Sequence, residues 1–180
     1  MPRTPSKTPA ANATTRHATD NSMGTDDADA QSGSLPDQDP DRYLRLDNQL
    51  CFPLYAASRL ITRLYQPLLE PLGLTYPQYI VLLILWEDAP CTVSHIGQRA
   101  QLASNTVTPL LKRLELMDII ERTRSVDDER VVTVTVTRKG KRLKQKCACI
   151  PEKMFERTGY PLEEGIKLKQ QLDALIRHLQ

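Results

Sequence analysis

The chain has 180 residues, of which 40% are hydrophobic and 26% charged, a composition that fits one folded domain with some chain to spare. No apolar run reaches the ~18 residues of a membrane helix, which excludes an integral membrane protein of that kind and any membrane partner it implies. Residues 1–16 lack the apolar stretch of a secretory signal, so a cytoplasmic chain with reduced thiols is the expectation.

The formal net charge of +2 hides an asymmetry. Over residues 1–41 three cations, Arg3, Lys7 and Arg16, face seven aspartates, a net of −4 that leaves +6 for the remainder. This stretch is rich in Ser, Thr, Asp, Ala and Pro and holds one leucine and no aromatic residue, too little apolar surface to offset chain entropy. It predicts a disordered acidic tail over residues 1–43, followed by one domain over 44–180. An alternative role for the tail is competition with nucleic acid for a basic surface. The basic body suits a partner that carries phosphates.

From Leu46 the pattern turns helical, with Leu50, Leu54, Ala57, Leu60, Ile61, Leu64, Leu68 and Leu69 at three- and four-residue spacing up to Pro71 and Gly73. Pro53 is tolerable there only near the first turn. A second helix, from about Tyr76 to Trp86, is apolar nearly all round and belongs at the centre of a core. After Asp88-Ala89-Pro90, Ser94 can cap a short helix ending near Ala100. Leu102-Ala103-Ser104 makes a turn, and a further helix opens at Ser104 or Asn105. Its Val107, Leu110, Leu111 and Leu114 point inward, and Thr106, Thr108, Lys112, Arg113 and Glu115 outward. Two short helices joined by a tight turn, the second with a polar and basic outer face, follow the helix-turn-helix plan.

Between Ile119 and Thr137 the period changes from helix to strand, with valines and threonines alternating after the charged turn Asp127-Asp128-Glu129-Arg130. This is a β-hairpin, or wing. Lys139 to Gln180 is helical again, interrupted at Pro151 and at Gly159-Tyr160-Pro161, and ends on a stripe of Ile166, Leu168, Leu172, Leu175, Ile176 and Leu179. The predicted fold is therefore mainly α with a small β-hairpin. It is a winged helix-turn-helix with its wing at about 119–137 and N- and C-terminal dimerisation helices at about 46–70 and 140–180. The outer helices have apolar faces with no partner in the chain, so a homodimer that binds palindromic double-stranded DNA is expected.

Chemistry-bearing residues are few. The cysteines Cys51, Cys91, Cys147 and Cys149 are too scattered for a disulfide scaffold. Cys147-x-Cys149 has no third ligand nearby, so no metal is assigned, and no cofactor motif is present. There is no Cys–His pair, glycine-rich phosphate loop or carboxylate dyad: His17 is in the tail, and His95 and His178 fall on helix surfaces. The chain is not expected to be an enzyme. Taken alone, Cys51 reads as a small apolar residue.

The order helix, core helix, helix-turn-helix, wing and long C-terminal helix resembles the MarR family of bacterial transcription regulators. Asp47-Asn48-Gln49-Leu50-Cys51-Phe52, Gly73-Leu74-Thr75-Tyr76-Pro77-Gln78-Tyr79, Leu85-Trp86-Glu87, Thr108-Pro109-Leu110-Leu111-Lys112-Arg113 and Asp128-Glu129-Arg130 are similar to its organic hydroperoxide resistance branch. The likeness covers about residues 44–155. It implies a cysteine at Cys51 that organic hydroperoxides, as inducers, oxidise to sulfenic acid, with Tyr65 and Tyr76 hydrogen-bonding to it across the dimer. A phenol O–H donated to sulfur stabilises the thiolate that attacks peroxide.

In this branch the sulfenic acid either takes up a small thiol or closes an intersubunit disulfide. Cys149 and Cys147 are the candidate resolving cysteines, with Lys144 and Lys146 expected to lower a neighbouring thiol pKa. The resemblance and helix geometry together make Ser104, Asn105, Thr106, Thr108, Lys112 and Arg113 the candidate major-groove contacts. Arg130 would enter the minor groove, with Asp128 orienting it. Ala103 and Asn105 stand where the branch often has aspartate and glycine. The implied function is a repressor that releases its operator when Cys51 is oxidised. The alternative is a regulator released by a small phenolic or aromatic ligand, with its cysteines incidental.

Overall fold

The computed structural model describes residues 40–126, 128 and 130–180. The acidic tail and two wing-turn residues, Asp127 and Glu129, lie outside the described residues. The body spans Asp41–Gln180. A short helix α1 (Pro40–Leu44) and a 3-10 turn (Leu46–Asn48) lead into α2 (Cys51–Leu69). There Pro53 occupies the third helical position, where its missing N–H costs no helix bond. Pro67 lies inside the same helix, so the Arg63 carbonyl has no N–H to accept from at that point. A second 3-10 turn (Glu70–Leu72) ends α2, and α3 (Tyr76–Asp88) follows.

The core helix α3 starts where Gln78 Oε1 accepts both the Thr75 backbone N–H, at 2.8 Å, and its hydroxyl, at 3.0 Å, the reciprocal arm of a capping box. Tyr79, Val81, Leu82, Ile84 and Leu85 are buried on several sides of it, as its all-round apolar sequence requires. After β1 (Cys91–Thr92) comes α4 (Val93–Ala100). Thr92, not Ser94, caps α4, its Oγ1 accepting from the His95 N–H at 3.2 Å. The helix already begins at Val93, so Ser94 lies inside its first turn.

Gly97 suits the tight turn, since a Cβ there would crowd the Leu102 carbonyl at 3.0 Å. The second helix of the motif is α5 (Ser104–Leu116), which buries Val107, Leu111 and Leu114 and half-buries Leu110. The wing is β2 (Ile120–Arg124) and β3 (Val132–Val136), and β1 adds a third strand in the antiparallel order β1-β3-β2. Arg122 lies opposite Val134 in this register.

Three helices complete the chain: α6 (Arg138–Cys147), α7 (Ile150–Thr158) and α8 (Leu162–Leu179). Thr137 Oγ1 caps α6 by accepting the Gly140 N–H at 3.0 Å, and it donates to Asp118 O at 2.8 Å. A Cβ at Gly140 would fall 2.3 Å from Ile119 O and 2.7 Å from Val136 Cγ1, so α6 can lie on the base of the wing only with glycine there. No residue of α8 is buried, and Ile166, Leu168, Ile176 and Leu179 are exposed. Leu50, Phe52, Leu54, Tyr55, Leu60 and Ile61 of the N-terminal helix region are exposed as well. Among the described residues no single helix is long and apolar enough to cross a membrane.

Candidate DNA interface and thiol site

Among the described residues, those on the outer face of α5 are open to solvent. Ser104, Asn105, Thr106, Lys112 and Arg113 are exposed, and Thr108 is half-buried with its hydroxyl donating to Ser104 O at 2.8 Å. The helix starts from Ala103 without a side-chain cap, and the Thr106 and Val107 N–H groups turn back to Ala103 O. Its positive end therefore meets the surface, where it favours an anion such as a phosphate.

At the wing tip Asp128 Oδ1 accepts the Arg130 backbone N–H at 2.9 Å, and the Asp128 carbonyl accepts Val131 N–H at 2.9 Å. Asp128 thus orients Arg130 through the main chain. Among the described residues no carboxylate–guanidinium pair joins the two, and the Arg130 side chain is exposed. Glu115, expected to point outward, is instead only half-exposed and pairs with Arg122. No local sequence pattern marks that pair, because it spans the turn between helix and strand.

Cys51 is the first residue of α2 and is exposed, as are Leu50, Phe52, Leu54 and Tyr55 around it. Tyr65 packs at a tilt against Tyr76, with ring centroids 4.8 Å apart, and against Tyr79 at 5.8 Å, and Tyr79 meets Trp86 edge-on at 6.4 Å. Burial, and then Tyr76, pushes the Tyr65 phenol above its ordinary pKa; burial does the same to Tyr76. Tyr79 is pushed up to about 12, by burial first and then by its phenol and thiol neighbours. All three are neutral O–H groups near neutral pH. Fourteen residues of helix separate Cys51 from Tyr65, about 21 Å at 1.5 Å per residue, so one chain does not bring them together.

The paired cysteines differ. Cys147 is 3% exposed and belongs to the core cluster, whereas Cys149, ahead of α7, is exposed. Burial, with Cys149 second, pushes the Cys147 thiol up, opposite to the lowering expected from Lys144 and Lys146. Lys144 Nζ is engaged elsewhere, donating to Trp86 O at 3.0 Å. Cys91 is half-buried and also raised by burial, then by Asp88. His95, read as a plain surface residue, is 2.6 Å from Asp88 Oδ2 through Nε2. Arg99 adds a contact to Glu87 at 2.6 Å, so four charged or titratable side chains link α3 to α4.

Residues 63–147 match the family model for the transcriptional regulator SarA/Rot. The chain is 46% identical over 133 residues to the organic hydroperoxide resistance transcriptional regulator of Bacillus subtilis (strain 168), covering 74% of this chain and 88% of that one. The solved structure of reduced AbfR bound to DNA aligns with a TM-score of 0.62 at 38% identity, over 78% of this chain and 98% of that one. The structure of disulfide-formed AbfR aligns with a TM-score of 0.53 at 37% identity, over 78% and 95%; AbfR is a protein of Staphylococcus epidermidis. The winged helix-turn-helix agrees with these structural neighbours, and the identity over three quarters of the chain settles the family: the chain belongs to the MarR/SarA family of DNA-binding transcriptional regulators.

Proposed function

We propose that the protein is a homodimeric repressor that senses organic hydroperoxides through Cys51 and releases a palindromic operator on oxidation. The observation that carries this reading is the separation of Cys51 from Tyr65 and Tyr76. An exposed thiol ringed by exposed apolar side chains lies about 21 Å along α2 from the half-buried, neutral phenol of Tyr65, whose ring packs on that of Tyr76 at the start of α3. A second copy packed through the apolar faces of α2 and α8 would cover those faces and bring its phenols to the thiol. The likeness to a regulator named for organic hydroperoxide resistance supports the inducer class.

In this mechanism the Cys51 sulfur, as thiolate, attacks the outer oxygen of the hydroperoxide. The O–O bond breaks, the alkoxide takes up a proton and leaves as the alcohol, and sulfur becomes sulfenic acid. Tyr65 and Tyr76 donate to the anionic sulfur beforehand. An accessible thiol then attacks the sulfenic sulfur, giving a disulfide and water. The exposed Cys149 suits that step, and Cys147 does not. The new bond shifts the dimer helices and moves the two winged lobes out of half-site spacing. In the DNA-bound state Ser104, Asn105, Thr106, Thr108, Lys112 and Arg113 face the major groove and Arg130 the minor groove.

A second reading, release by a small phenolic or aromatic ligand, is favoured by a cavity of about 660 Å³ between α2 and α3, lined by Arg59, Arg63, Gln66, Leu69, Leu74 and Tyr76. Operator release by cumene hydroperoxide, and none by salicylate under reducing conditions, supports the thiol mechanism. Release by salicylate with all thiols reduced supports the ligand-sensing reading instead.

A further inference from the structure

Glu115, in the last turn of α5, and Arg122, in the middle of β2, form the one ion pair among the described residues that joins the recognition helix to the wing. The other pairs lie within α8 or between α3 and α4. Arg122 Nε, at 3.0 Å, and Nη2 both donate to Glu115 Oε2. The side chains are 22% and 38% exposed, so water screens this pair less than a fully exposed one.

Register explains how Arg122 gets there. It lies opposite the fully buried Val134 and two residues after buried Ile120. Its stem therefore runs over the core-side face of the sheet, and its head emerges at the seam with α5. Because β2 is an edge strand in the order β1-β3-β2, no further strand among the described residues braces the wing on that side. A cleft of about 350 Å³ runs from Arg122 to Arg130, Ser104 and Thr108, so the arginine of the pair borders the space between the two DNA-reading elements. An acid on a helix that approaches phosphates works against binding unless it does something else there.

We infer that Glu115 and Arg122 are positioning residues for operator recognition. Their ion pair sets the angle between recognition helix and wing, so that α5 enters the major groove while Arg130 reaches the adjacent minor groove, and neither side chain touches DNA. The inference rests on the DNA placement of α5 and Arg130 given above and is independent of the thiol chemistry.

The test uses full-length reduced protein, a duplex selected from a random pool for tight binding to the parent, and an unrelated duplex, each titrated at several salt concentrations. Glu115→Gln is expected to weaken binding to the selected duplex about tenfold, although it removes a negative charge from a DNA-facing lobe. Non-specific affinity and the salt slope stay at parent values, because no phosphate contact is lost. The exchanged pair, Glu115→Arg with Arg122→Glu, recovers most of the affinity, and thermal melting of each variant establishes that it is folded. Glu115→Gln binding as tightly as the parent, or more tightly, would overturn the inference. So would Arg122→Gln lowering the salt slope by about one, the mark of a direct phosphate contact.

Discussion

Tyr65 and Tyr76 pack at a tilt with ring centroids 4.8 Å apart although they belong to different helices, α2 and α3, and burial pushes both phenols further above their ordinary pKa. Two O–H donors are thereby held side by side near neutral pH. If they serve the thiol of a second chain, Tyr65→Phe and Tyr76→Phe each remove a donor and leave the ring packing in place. Oxidation of Cys51 by cumene hydroperoxide, followed by stopped-flow mass analysis, is expected to slow about tenfold in each variant. Rates equal to the parent would leave the tyrosines as packing residues.

The two C-terminal thiols differ by burial, and the difference is testable. Cys149→Ser is expected to abolish the peroxide-induced covalent dimer on a non-reducing gel. Cys147→Ala, which removes a core sulfur, is expected to form that dimer normally while lowering stability by about 1 kcal/mol. The opposite pattern would mean that the segment around α6 opens before the disulfide closes.

Arg130 is presented by a turn that fixes its backbone through Asp128 and leaves its guanidinium free of carboxylates among the described residues. Arg130→Ala is expected to weaken operator binding by about 1–3 kcal/mol and to reduce the salt slope by about one. Unchanged affinity across a salt titration would remove the wing tip from the interface.

Asp88 is held below the ordinary carboxylate range, first by its hydrogen bond with His95 and also by Arg99. A depressed folded pKa adds stability above the unfolded value, and that contribution fades as pH falls through the folded one. Asp88→Asn is therefore expected to flatten the acid side of the melting-temperature profile, measured by thermal melting from about pH 5 down to about pH 2. A parallel profile in the variant would detach the α3–α4 charge cluster from acid sensitivity.

The helix-turn-helix and wing were legible because their signals are local. The period switches from helix to strand at Ile119, and the uncapped start at Ser104 follows a short turn. Thr92 is not legible as the cap of α4, because the helix begins one residue before Ser94 and two nearby hydroxyl residues offer the same capping chemistry. The burial of Cys147 had a readable signal, the three- and four-residue spacing of Gly140, Leu143 and Cys147 along α6. The Glu115–Arg122 pair had none, because it depends on how the sheet meets the helix. The meeting of Cys51 with Tyr65 and Tyr76 proposed above would be a relation between two chains, which the pattern of one chain does not display.

Purified parent and Cys51→Ser protein, each treated with stoichiometric cumene hydroperoxide, can be followed by intact mass, non-reducing electrophoresis and DNA retardation on the same samples. The parent is expected to lose DNA as it gains either an intersubunit disulfide or a single oxygen at Cys51. Cys51→Ser is expected to bind DNA and ignore the peroxide. Normal peroxide-driven release by Cys51→Ser, or a parent whose mass and DNA binding both stay unchanged, would contradict thiol sensing.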